Sequence, residues 1–120
     1  MKGIQIANEF DEIVGEIAMC FREKNDQYAT EDDLANFTKG AALLFRGTAI
    51  ERRGRTAAQY EALKSYVAKH IAHVFNNDIN GAKVAESWND IAVYAIIALI
   101  ILRRNNNTGE IVAQDALNKA

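Results

Sequence analysis

Proline is absent from this chain and cysteine occurs once, as Cys20. A single thiol can close no internal disulfide and build no all-cysteine zinc site, so the fold rests on its buried core, as suits a reducing, cytoplasmic setting. Without proline no position forces a helix to stop, and the ends must be read from caps and turn residues. Neither sign of charge is in large excess. The formal net charge of −2 gives no overall attraction to nucleic acid or to an anionic membrane. The opening residues Met1 to Glu9 mix polar with apolar side chains and form no secretion-signal core.

About half of the 120 residues are apolar (49%) and a quarter charged (25%), a mixture that folds, and the length suits one domain. The apolar residues recur with helical spacing. Ile6, Phe10, Ile13, Ile17 and Phe21 mark a first helix, with Glu9, Glu12, Glu16 and Glu23 elsewhere on its surface. Thr30-Glu31-Asp32-Asp33 resembles a capping box for a second helix from about Glu31 to Arg46, with Leu34, Phe37, Ala41, Leu44 and Phe45 as its stripe. Thr56 with Gln59 predicts a third capped helix, its stripe Tyr60, Leu63, Val67, Ile71 and Val74 ending before Asn76-Asn77-Asp78. A fourth runs from about Gly81 to Arg104. Asn105-Asn106-Asn107 predicts a turn, and Thr108 would cap a short last helix from Gly109 to about Asn118. The expected fold is all-α, a compact bundle of four main helices plus a short C-terminal helix, in one domain.

The run Ile91 to Leu102 is wholly apolar over 12 residues, short of the ~20 that a membrane helix needs, and lies between Asp90 and Arg103-Arg104. It therefore reads as buried core. Being apolar on every side it needs cover on every side, which predicts a homo-oligomer packed around it.

Candidate chemistry is sparse. Glu86 and Asp90 are one helical turn apart and could together ligate Mg²⁺, with Glu9, Glu12 and Glu16 as a second acidic set. For the first-helix set, solvated or lysine-paired acids are the plainer reading, whereas Glu86 and Asp90 abut the apolar run. His70 and His73 lack the flanking glutamate of a zinc-protease helix, and His70, close to the apolar stripe, reads as a core or interface histidine. The segment 46–55 holds four arginines, Arg46, Arg52, Arg53 and Arg55, and leads into a helix N-terminus; both features suit phosphate, though the spacing is not a P-loop.

Lys24-Asn25-Asp26-Gln27-Tyr28, Asn36-Phe37, Lys69 and the stretch Glu86-Ser87-Trp88-Asn89-Asp90-Ile91-Ala92-Val93-Tyr94-Ala95 together resemble the phage and prophage nucleotide-modification-associated domains. These are similar in turn to the MazG-like all-α nucleoside triphosphate pyrophosphatases. The resemblance spans about Lys24 to Leu102. It implies a nucleotide site including Lys24, Tyr28, Lys69 and Tyr94, with Trp88 or Tyr28 to stack on a base, and Mg²⁺ on Glu86 and Asp90. Ala29 and Ala85 depart from the family's glycine and acid, and Glu86-x-x-x-Asp90 replaces its ExxE and ExxD pairs. The expectation is a phage-type protein that binds a phosphorylated nucleotide and retains rather than hydrolyses it. The alternatives are an inhibitor that binds a host enzyme or defence complex through its charged surface, and a Mg²⁺-dependent nucleotide pyrophosphatase.

Overall fold

In the computed structural model the backbone is described for residues 2–28 and 33–119, and side chains for 3–25 and 33–107. The described residues are all-helical: α1 (Lys2–Tyr28), α2 (Ala35–Phe45), α3 (Ala49–Arg52), α4 (Arg55–Phe75) and α5 (Val84–Lys119). The chain divides into two units, Met1–Asp33 and Leu34–Ala120. The first is α1, a helix of 27 residues on which Ile6, Phe10, Ile13 and Phe21 of the expected stripe are all exposed.

The second unit is built on α4, which packs against α2, α3 and α5. Its main core joins Leu34 and Phe37 of the α2 segment, Leu63 of α4, and Ile97 and Ile101 of α5, with Tyr60, Tyr66, Val93, Tyr94 and Ala98 around them. A smaller cluster of Ala41, Ala58 and Ala62 brings α2 and α4 close, and Phe45 and Ile50 close over it. Small side chains decide this approach. Gly40 faces the phenol of Tyr66 with no room for a Cβ, and that hydroxyl donates to the Asn36 carbonyl at 3.0 Å.

This close contact rotates α4 from its expected orientation. Ala58, Gln59, Ala62 and Leu63 are buried, whereas Ile71 of the expected stripe is 39% exposed. Gln59 turns inward and donates to Thr38 Oγ1 at 3.0 Å, so it does not form a capping box with Thr56. Gly54 is the N-cap, at φ 107°, a left-handed conformation that glycine adopts without a Cβ clash.

α2 begins at Ala35, later than expected, because Leu34 leaves the helix to enter the core; its carbonyl accepts from the N–H groups of Phe37 and Thr38. Thr30, Glu31 and Asp32 of the expected capping box lie outside the described residues. The arginine segment holds one further turn of helix, α3. α4 ends at Phe75 on the asparagine cluster as expected, and Asn77 Nδ2 donates to the His73 carbonyl at 2.9 Å.

Two expectations for the C-terminal half are corrected. α5 runs unbroken through Asn105-Asn106-Asn107 for 36 residues, so the short separate last helix and the Thr108 cap do not exist. Asparagine costs only a fraction of a kcal/mol in a helix interior, about 0.7 kcal/mol at most, and no proline interrupts the ladder. Nor is Ile91 to Leu102 buried all round. Ile97 and Ile101 face the core, while Trp88 is 56%, Ile96 52%, Leu99 64% and Leu102 41% exposed. The span Val84–Asn107 is long and apolar enough to cross a membrane by length and composition alone.

Ile101 is 1% exposed, and Ile101→Ala should destabilise the fold by about 2–5 kcal/mol. Leu99→Ala, on the open face, should cost under about 1 kcal/mol in the same urea titration. Equal losses would contradict this core assignment.

Candidate functional site

Two polar places stand out in the second unit, one at each end of α4. The first lies on the α4–α5 seam. His70 follows Tyr66 and Leu63 by about one and two turns on the inward side of α4, and Asp90 and Tyr94 are one turn apart on the matching side of α5. The rings of His70 and Tyr94 are 5.7 Å apart, and His70 Nδ1 is 3.6 Å from Asp90 Oδ2, an ion pair when the imidazole is protonated. Phe37 stands edge-on to Tyr94 at 6.2 Å and 5.5 Å from Tyr66. Burial pushes the Tyr94 phenol above its ordinary value of 10.0, with smaller contributions from the Asp90 charge and from Tyr66.

Asp90 and Tyr94 are thus the sequence-predicted residues that come together, and His70, read from sequence as a core or interface side chain, is the group between them. Lys69 is exposed, about 100° round α4 from His70. Glu86 and Trp88 are exposed on α5. Lys24 is exposed on α1 in the other unit, and the side chain of Tyr28 lies outside the described residues. Among the described residues no three carboxylate, histidine or cysteine groups gather as a metal cluster. Glu86 and Asp90, the residues expected to ligate Mg²⁺, thus have no third such group gathered with them. His73 sits one turn from His70, and its Nε2 is 2.8 Å from the Ala82 carbonyl, tying α4 to the turn that opens α5.

The second place is a cavity of about 270 Å³ between α2, α3 and α4. Arg46, Glu51, Gly54 and Arg55 line one side, Thr38 and Gln59 the other. Gly47 and Gly54, both at positive φ, let the chain turn tightly into and out of α3. Glu51, which also lines the cavity, accepts the Gly47 N–H on Oε2 at 3.0 Å. Gly54 and Arg55 open α4, a helix of 21 residues without a side-chain cap, and its positive end adds to the two guanidinium charges. Sequence spacing pointed to the arginines. It carried no sign of Thr38 and Gln59, which reach the cavity only because α2 and α4 touch.

No family model, curated protein or solved structure matches this chain. The chemistry of the two places is therefore read from their geometry. The seam is a polar contact between two helices; the cavity is an open, positively charged recess.

The raised Tyr94 pKa predicts a pH dependence. A folded-state pKa above the unfolded one keeps its stabilising contribution below pH 10 and loses it as pH rises through the folded value. Wild type should therefore lose stability above pH 10 faster than Tyr94→Phe, compared by urea midpoints at each pH. Parallel curves for the two proteins would count against a buried, neutral phenol.

Proposed function

We propose that this chain binds a phosphorylated small molecule of the nucleotide class and retains it, with the phosphate in the α2–α3–α4 cavity. The observation that carries this reading is the convergence of Arg46, Arg55 and the N-terminal end of α4 on one recess. Arginine forks pair with phosphate oxygens in bidentate fashion, and a helix N-terminus favours the same charge. A volume of about 270 Å³ is just under the ~300 Å³ at which pockets begin to enclose whole small ligands, so the recess suits a phosphate group or chain with the nucleoside outside it. The resemblance to nucleotide-modification-associated domains implies the same ligand class, but would place it on Lys69 and Tyr94, at the other end of α4.

Retention rather than hydrolysis follows from distance. His70, which marks the Asp90 end of α4, is 15 residues beyond Arg55, about 22 Å along the helix. Mg²⁺ on Glu86 and Asp90 would lie too far away to act on a phosphoanhydride held by the arginines. Self-association through the open face of α5 accompanies this reading.

A second reading is favoured by α3, where Arg52 and Arg53 are exposed beside the cavity. An acidic surface on a host protein would meet that patch by charge complementarity.

A thermal-shift panel of nucleoside triphosphates and inorganic triphosphate, with and without Mg²⁺, separates the two readings, because a ligand that binds only the folded state stabilises it. Several degrees of stabilisation are expected, with affinity weakened about tenfold or more in Arg46→Ala and unchanged in Asp90→Asn. No shift with any phosphate, or an undiminished shift in the Arg46→Ala, Arg55→Ala double variant, would end the proposal. Multiple-turnover pyrophosphate release abolished by Asp90→Asn would instead identify a pyrophosphatase.

A further inference from the structure

The turn between α4 and α5 holds the chain's single Asn-Gly pair, Asn80-Gly81. Asparagine loses its side-chain amide most readily before glycine, which has no Cβ to keep its backbone nitrogen away from the asparagine Cγ. Asn80 is exposed, yet the turn around it is closely tied. The Gly81 N–H donates to the Asp78 carbonyl at 3.0 Å, the Asn80 N–H donates to Asp78 Oδ1 at 2.9 Å, and His73 Nε2 lies 2.8 Å from the Ala82 carbonyl. A Cβ on Gly81 would come within 2.6 Å of Asn77 Cβ and 2.9 Å of Val84 Cγ2, so the peptide there is packed between the end of α4 and the start of α5.

We propose that Asn80 is a spontaneous deamidation site that the folded turn holds closed, so that the chain is modified there while the α4–α5 turn is open. In the reaction the Gly81 nitrogen gives up its proton to solvent base and attacks Asn80 Cγ. The side-chain Cγ–N bond breaks, and ammonia leaves with a proton returned from solvent, giving a succinimide. Water then opens the ring, at Cγ to give aspartate or at the main-chain carbonyl carbon of residue 80 to give isoaspartate.

The folded turn opposes the first step twice. Its Gly81 N–H is engaged by the Asp78 carbonyl, and Asn80, at negative φ in the third position of this hydrogen-bonded turn, fits a type I turn with ψ about 0°. Closing the ring carries ψ far from that value and swings the Gly81 peptide, for which Asn77 and Val84 leave little room. The isoaspartate product runs the main chain through an extra methylene. The same four-residue turn does not re-form on it, and the modification is one-way.

The test incubates the full chain at mildly alkaline pH, folded or in denaturing urea, and reads the tryptic peptide 70–83 by tandem mass spectrometry. Conversion at Asn80 should be at least about tenfold faster in urea, since a local opening that costs about 1.4 kcal/mol lowers the reactive fraction tenfold. His73→Ala, shown to be folded by circular dichroism, removes the tie to Ala82 and should speed the folded-state reaction about two- to tenfold while leaving the rate in urea unchanged. Conversion as fast in the folded chain as in urea would overturn the gating, as would a folded-state rate untouched by His73→Ala. Conversion at Asn76 or Asn77 in place of Asn80, or none in urea, would overturn the site. The isoaspartate form, separated by reversed-phase chromatography, should unfold at lower urea than Asn80→Asp, which carries the same new charge without the extra methylene. Equal midpoints would overturn the one-way step.

Discussion

The close approach of α2 to α4 is the constraint on which the rest of the second unit depends. Gly40, Ala41, Ala58 and Ala62 remove side-chain bulk where the helices meet, and Ala62 is wholly buried. Because α2 lies so near, Phe37 reaches both Tyr66 and Tyr94, and one aromatic group links three helices. The same approach turns Gln59 inward onto Thr38 and shapes the wall of the arginine cavity. A larger residue at any of these four positions would meet interior packed at crystal-like density, where overpacking costs about 1–3 kcal/mol.

The two polar places differ in what the fold asks of them. At the seam, Asp90 and His70 are only partly shielded and each has the other at hand, while burial raises the pKa of the Tyr94 phenol. Such a group can hold α5 in register against α4 without any ligand. At the cavity two arginines and a helix N-terminus line a recess together with Glu51, whose Oε2 accepts the Gly47 N–H. Positive charge gathered around a recess favours an anionic occupant, which is why the cavity and not the seam carries the functional reading.

Helical class was legible from residue spacing, and so were the end of α4 at its asparagine cluster, the membership of Leu34, Phe37 and Leu63 in the core, and the one-turn spacing of Asp90 and Tyr94 on α5. The unbroken α5 was misread because three asparagines look like a turn, yet their cost is spread over a helix long enough to absorb it. The apolar run from Ile91 was misread for a different reason. Composition reports that a segment is apolar on all sides, but not which side its own chain covers, and here Ile97 and Ile101 are covered while Ile96 and Leu99 are not.

The sequence by itself determined a helical chain with no disulfide, an arginine segment leading into a helix, and one-turn spacing of Glu86, Asp90 and Tyr94, because these follow from residue chemistry and the 3.6-residue repeat. Only the tertiary structure decided how far α4 is rotated, that Gln59 faces Thr38, that His70 lies between Asp90 and Tyr94, and that Arg46 and Arg55 share a recess. Rotation of a helix about its own axis is set by the shapes of its neighbours. Residues far apart in sequence, such as Thr38 and Gln59, acquire a common role only when small side chains let their helices touch.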